Sequence, residues 1–196
     1  MEDQQPDDAR TPTDRILDAA QEVFAAEGLG ASLGDIAGRA GVGIGSIYRR
    51  FGNKDDIIQE LADRRFSALI ERMTSALDTD DPWDAFTTEF RHSIADYASD
   101  RGFRELVIGA VTGSFGWARG TQPTRLRSAM EHWSGQMEDV IGRLISRAQQ
   151  SGDLRPDVTG PLILQLSIAL QSISGLADRG EHERAITVVL DGLRRT

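Results

Sequence analysis

Apolar residues recur at three- and four-residue spacing along most of the chain, the period of an amphipathic helix. Ile16, Leu17, Ala20, Val23 and Phe24 mark a first helix. Thr11-Pro12-Thr13-Asp14 starts it: Thr11 can cap, Pro12 suits the first helical position, and Asp14 stands where the reciprocal carboxylate belongs. Gly28 and Gly30 end it, because glycine accepts the left-handed cap conformation at little cost. Ser32-Leu33-Gly34-Asp35 is another capping box and opens a short helix with Leu33, Ile36, Ala37 and Ala40 on its apolar side. Gly41-Val42-Gly43 makes a turn. A third helix spans about Ile44 to Phe51, with Ile47 and Phe51 pointing inward. Asn53 caps a long fourth helix that runs to about Leu77, with Asp55 and Asp56 complementing the positive end of its dipole.

Asp81-Pro82-Trp83-Asp84 starts a fifth helix through Phe86, Phe90, Ile94 and Tyr97, and Asp100-Arg101-Gly102 separates it from a short sixth (Phe103, Leu106, Val107, Val111). Gly113 to Gln122 reads as a loop. Pro123 opens a long seventh helix with the stripe Leu126, Met130, Trp133, Met137, Ile141, Leu144 and Ala148, closed by Gly152. Pro156 or Pro161 opens an eighth (Leu162 to Leu176), and a ninth follows Gly180 with Ile186, Val189, Leu190 and Leu193. The expected fold is all-α, about nine helices in all. A three-helix helix-turn-helix head (11–53) is joined by the long fourth helix to a helical body (54–196), with 1–10 as a disordered acidic arm.

The eighth helix is apolar on more than one side, so it needs cover on two sides. One cover is the body's own core. The other is a twin helix from a second subunit, with the ninth helix completing a four-helix contact through Leu164, Ile168, Ser172, Ile186, Val189, Leu190 and Leu193. The competing reading leaves the eighth helix simply central in a monomer.

Composition narrows the function. No window has the roughly 18 uninterrupted apolar residues of a membrane span. The start of the chain is acidic, unlike a secretory leader, and there is no cysteine, so a cytoplasmic protein without disulfides or thiolate chemistry is expected. A net charge of -9 argues against a general nucleic-acid binder. The distribution changes that picture. Residues 1–60 carry six cations and twelve acids, yet the acids stop at Asp35 and resume at Asp55. Between them stand Arg39, Arg49, Arg50 and Lys54, the sole lysine of the chain.

This basic island contains the third helix, the one that would enter a major groove. Gly45 lets that helix approach the DNA backbone, and Ser46 can bond a phosphate or a base edge. Tyr48 reaches a phosphate with its hydroxyl, Arg49 suits a guanine edge and Arg50 a phosphate. Lys54 adds charge beside free amides at a helix start, Ser32 is placed for a similar contact, and Ile44 can touch a thymine methyl. Ordinary packing is the competing reading for Tyr48 and Ile44, and a solvated face for the two arginines. An enzyme finds little support: His92, His132 and His182 lie in different elements, and no HExxH, G-x-S-x-G or Walker sequence occurs. Gly41-x-Gly43-x-x-Ser46 lacks the third glycine and the preceding strand of a dinucleotide loop. The many acids read as solvated helix faces. An all-helical adaptor would leave the 45–50 cluster unexplained.

Residues 15–58 resemble the DNA-binding head of the TetR (tetracycline-repressor-like) family of bacterial regulators. The matching positions are Arg15 to Ala20, Phe24, Glu27-Gly28, Ile36-Ala37, Ala40-Gly41-Val42, Gly45-Ser46-Ile47-Tyr48, Phe51 and Asn53-Lys54. Gly152 to Asp157 is also familiar for the family. Gly43 stands where the family usually has serine, and Arg50 replaces a common histidine or aromatic residue. The resemblance implies a dimeric repressor without cofactor that releases a near-palindromic double-stranded operator when a small-molecule effector enters the body. Phe66, Phe86, Phe90 and Phe103, with Trp117, Met130, Trp133 and Met137, supply bulky surfaces for an apolar or aromatic effector.

Overall fold

The computed structural model describes residues 11–112, 124–173 and 178–195. Among them the chain runs as α1 (Pro12–Glu27), α2 (Leu33–Ala40), α3 (Ile44–Phe51), α4 (Lys54–Ala76) and α5 (Pro82–Ser99), then α6 (Arg101–Thr112), α7 (Thr124–Gln150), α8 (Gly160–Ile173) and α9 (Arg179–Leu193). The expected acidic arm, the loop from Gly113 to Gln122 with Trp117, and the end of the eighth helix at Leu176 lie outside the described residues.

The start signals act as their chemistry requires. Thr11 Oγ1 accepts the Asp14 amide at 3.2 Å while Asp14 Oδ2 accepts the Thr11 amide at 3.2 Å. Ser32 and Asp35 repeat the exchange at 3.2 and 2.9 Å, and Asn53 Oδ1 takes the Asp56 amide at 3.0 Å. Two boundaries move. Asp100 Oδ1 accepts the Phe103 amide at 2.8 Å, so α6 starts at Arg101 and absorbs Gly102. Asp178 Oδ1 accepts the Glu181 amide at 2.9 Å, so α9 starts before Gly180. Side-chain capping outweighs glycine's breaking tendency at both places.

One core cluster begins in the head with Ile16, Leu17, Phe24, Ile36 and Ile47. It follows α4 through Ile57, Ala62, Phe66 and Met73, and reaches Phe103 of α6 and Trp133 of α7. A second joins Phe86, Phe90 and Ile94 of α5 to Ile145, Leu154, Leu170 and the inner face of α9. Ile141 packs on both. The 23 residues of α4 span about 35 Å, so one rigid element links head and body.

The segment Gly152 to Asp157 fastens the end of α9. Gly152 has φ +91°, Leu154 is fully buried, the Arg155 amide donates to Leu193 O at 3.1 Å, and Arg195 N donates to Asp153 O at 2.7 Å.

The ninth helix corrects an expectation. Ile186, Leu190 and Leu193 are buried in their own subunit's second cluster, and Val189 is half-buried against it. Ile186, Leu190 and Leu193 thus cover the body's own core. Periodicity marks an apolar stripe but not what it covers, and here α5, α7 and α8 need that cover. Leu164 and Ile168 likewise pack on the first cluster. Ser172 remains exposed on α8, and the exposed apolar side chain of α9 is Val188, at 69 %.

Candidate nucleic-acid interface

Gly41 ends α2 in the left-handed region (φ +66°), its amide and that of Val42 closing onto the last carbonyls of the helix. Gly43 then caps α3 with extended backbone and no side-chain bond. Two tight turns thus set α3 against the head, and Ile47, 1 % exposed, anchors it.

The opposite face of α3 is open. Ile44 is 46 % and Tyr48 53 % exposed, and Gly45, Arg49 and Arg50 are exposed with them. Arg49 Nη2 donates to Ser46 Oγ at 2.9 Å, which holds the guanidinium along the helix. Arg50 has no hydrogen-bond or ion-pair partner among the described residues. A Cβ on Gly45 would meet only Arg49 Nη1, at 3.7 Å, so nothing inside the molecule requires glycine there.

The other cations of the island are engaged elsewhere. Arg39 Nε donates to Glu22 at 2.6 Å. Lys54 turns inward, and its ammonium donates to Leu29 O at 2.8 Å and Ala31 O at 3.2 Å, tying the loop between α1 and α2. Ser32 is exposed, but its hydroxyl donates to Asp35 at 2.5 Å and accepts that residue's amide. The structure therefore brings Ile44, Gly45, Ser46, Tyr48, Arg49 and Arg50 together on one face, and directs the Lys54 amine away from it.

The body holds a cavity walled by α4 to α8. The space between its side chains and at its mouth, open solvent included, is about 580 Å³. Phe86, Phe90, Phe103 and Met137 line it, as the effector expectation has them. Phe66, Met130 and Trp133 do not. Phe66 and Trp133 stack at 5.0 Å as core, and Met130 is buried in the same cluster. Sequence reasoning missed Glu89, Ser93, Asp96 and Ser167, which also line it. Glu89, 5 % exposed, corrects the reading of every acid as a solvated face. Its spacing from Phe86 and Phe90 was the available signal, since three and four residues place it beside both on α5.

An Arg-carboxylate ladder ties α4 to this wall. Arg65 reaches Asp96 at 2.6 Å, and Arg72 reaches Asp96 at 3.1 Å and Glu89 at 3.0 Å. The Tyr97 phenol, buried and close to Asp96, is pushed up to about 12.

A capped helix-turn-helix with an exposed arginine and tyrosine face, borne on an all-helical body, defines a DNA-binding transcriptional regulator. Residues 16–61 match the model of bacterial regulatory proteins of the TetR family, and residues 81–195 match the SbtR-like transcriptional regulator C-terminal domain. The chain belongs to the TetR family. It is 32 % identical over 170 residues to the regulator SrpR of Pseudomonas putida, covering 86 % of this chain and 73 % of SrpR. The crystal structure of a TetR regulatory protein from Mycobacterium vanbaalenii superposes with a TM-score of 0.61 at 28 % identity, over 93 % of this chain and 95 % of that one. The regulator SCO0520 of Streptomyces coelicolor gives 0.63 at 26 % identity, over 93 % and 98 %. No described helix is long and apolar enough to cross a membrane.

Proposed function

We propose that this regulator is a homodimeric repressor. It holds a near-palindromic double-stranded operator through two copies of α3 and releases it when a small molecule occupies the cavity of the body. Residues 11–53 form the DNA-binding unit, and 54–196 the effector-binding and dimerisation unit, with α4 as connector. The exposed face of Ile44, Tyr48, Arg49 and Arg50 behind a buried Ile47 carries this reading.

Arg49 addresses a guanine edge, Arg50 and the Tyr48 hydroxyl address phosphates, and Ile44 addresses a thymine methyl. Gly43 and Gly45 keep the first turn of α3 bare for close approach, and Ser32 and Ser46 add hydroxyls. Lys54 serves as a brace of the head, a role supported by its two carbonyl bonds.

Two recognition helices must stand about 34–36 Å apart to read successive major grooves. Pairing two copies sets that distance, and the exposed Gln165, Ala169 and Ser172 of α8 with Val188 of α9 are the surface the fold leaves for it. A cavity lined by α4 to α8 is suited to shift α4, and a coupling of about 1–3 kcal/mol is the usual size for such control. The protein acts in the cytoplasm by binding alone, with no catalysis and no cofactor.

Selection of duplexes from random DNA tests this. An inverted repeat with half-sites about 10 base pairs apart, centre to centre, is the expected product. Enrichment of no sequence at all would remove the proposal.

A further inference from the structure

The polar part of the cavity wall is two carboxylates and two serine hydroxyls, with the Tyr97 phenol beside them. Glu89 and Asp96 face the cavity from α5, with Ser93 and Ser167 beside them. Glu89 Oε2 accepts from Arg72 Nε at 3.0 Å, and His92 Nδ1 lies 3.2 Å from its Oε1. Asp96 Oδ1 accepts from Arg65 at 2.6 Å and Oδ2 from Arg72 at 3.1 Å. Each of these oxygens thus has one described contact, and a carboxylate oxygen has room for about two.

The serines offer only lone pairs. Ser93 Oγ donates to Phe90 O at 2.8 Å, Ser167 Oγ donates to Ile163 O at 3.0 Å, and the two hydroxyls lie 2.9 Å apart. Three contacts already compete for two protons. The neutralising arginines reach the acids from α4 and are not among the groups lining the cavity. An entering molecule therefore meets apolar walls, a ribbon of acceptors on Glu89, Ser93, Asp96 and Ser167, and the Tyr97 phenol.

We propose that the effector is an amphiphilic molecule with an apolar body and a cationic, hydrogen-bond-donating head, of the alkylammonium class. The head sits between Glu89 and Asp96, and the body lies along Phe86, Phe90 and Met137. An anionic head such as a fatty carboxylate would have to compete with Glu89 and Asp96 for Arg65 and Arg72, with the Tyr97 phenol as the donor among the lining groups. Arrival of the cation also competes with Arg65 and Arg72 for the same carboxylates. It thereby loosens the tie between α5 and the helix that carries the head. This inference rests on the cavity being the effector site.

Decylammonium, decanol and decanoate share one chain length and differ only in the head. Isothermal titration of each into the full-length protein, below micelle-forming concentrations, reads the class directly. Decylammonium is expected to bind at one site per subunit, about tenfold or more tighter than decanol, with decanoate weakest. Glu89→Gln and, separately, Asp96→Asn should remove that preference, and decanol binding to each variant reports whether the cavity persists. Decanoate binding as tightly as decylammonium overturns the class and leaves the cavity as the effector site. A preference for decylammonium that survives both substitutions overturns the seat at Glu89 and Asp96. If none of the three binds, the cavity reading falls with it.

Discussion

The Leu29 amide of the head donates to Glu105 Oε2 of α6 across 2.9 Å. Arg101 Nε holds the other carboxylate oxygen at 3.0 Å, and the Lys54 ammonium holds the Leu29 carbonyl at 2.8 Å. The loop at the end of α1 is thus gripped from the body on one side and from the first turn of α4 on the other. The grip links α6 and α4 to the loop between α1 and α2, and α3 packs on α2 and α4.

Gly28 makes this grip possible. Its φ is +85°, and a Cβ there would collide with Glu105 Oε1. Gly28→Ala is therefore expected to destabilise the protein by about 1–3 kcal/mol, combining strain with displacement of the carboxylate. Chemical denaturation checks this, and unchanged stability would show that Glu105 does not hold the loop.

Lys54 and Arg50 separate a brace from a contact. Lys54→Met removes two charge-assisted hydrogen bonds from the loop and is expected to cost about 1.5–3 kcal/mol of stability, leaving the salt dependence of DNA binding unchanged. Arg50→Ala should leave stability within about 0.5 kcal/mol and flatten the slope of log affinity against log salt by about 0.9 per copy. A slope lost equally in both variants would return Lys54 to the interface.

Gly45 offers a test with opposite signs. It sits in α3, exposed, and a Cβ there would make only an ordinary van der Waals contact with Arg49 Nη1, so Gly45→Ala should stabilise the free protein by about 0.5–1 kcal/mol. The proposed close approach of this backbone to DNA predicts that the added methyl weakens operator binding. Stabilisation without loss of affinity would place that turn away from the duplex.

Acid should loosen the head through its caps. Hydrogen bonds from Thr11 hold the Asp14 carboxyl below the ordinary carboxylate range, and those from Ser32 do the same for Asp35. A carboxyl with a lowered folded value contributes stability above its unfolded value of about 4, and loses it as pH falls through the folded value. Denaturation curves for wild type and Asp35→Asn should differ at pH 6 and converge as the pH falls below that range. A gap that persists in strong acid would assign the effect to something other than the cap.

Much of this arrangement was legible because it is local. Thr11 with Asp14, Ser32 with Asp35, and Asn53 each cap within three residues, and the glycines at 41 and 43 mark the turn from α2 into α3 from the sequence alone. What was not legible depends on distant partners. Lys54 looked like an interface cation until the loop at 29–31 placed two carbonyls under it. Ile186, Leu190 and Leu193 had the period of a contact helix, but that period is the same whether the stripe faces a partner or its own core. Glu89 and Asp96 looked like two more acids in an acidic chain. Only the approach of Arg65 and Arg72 from α4 makes their burial affordable.

The outer face of α3 is proposed to read DNA. The most direct test compares wild type with Tyr48→Phe/Arg49→Ala/Arg50→Ala on a duplex selected by the wild-type protein. Circular dichroism and sedimentation establish that fold and dimer persist. The variant is expected to bind the selected duplex no better than a scrambled one, with Arg49→Ala alone relaxing preference at one base pair per half-site by about 1–3 kcal/mol. Full preference for the selected duplex in the triple variant would place DNA recognition on another surface.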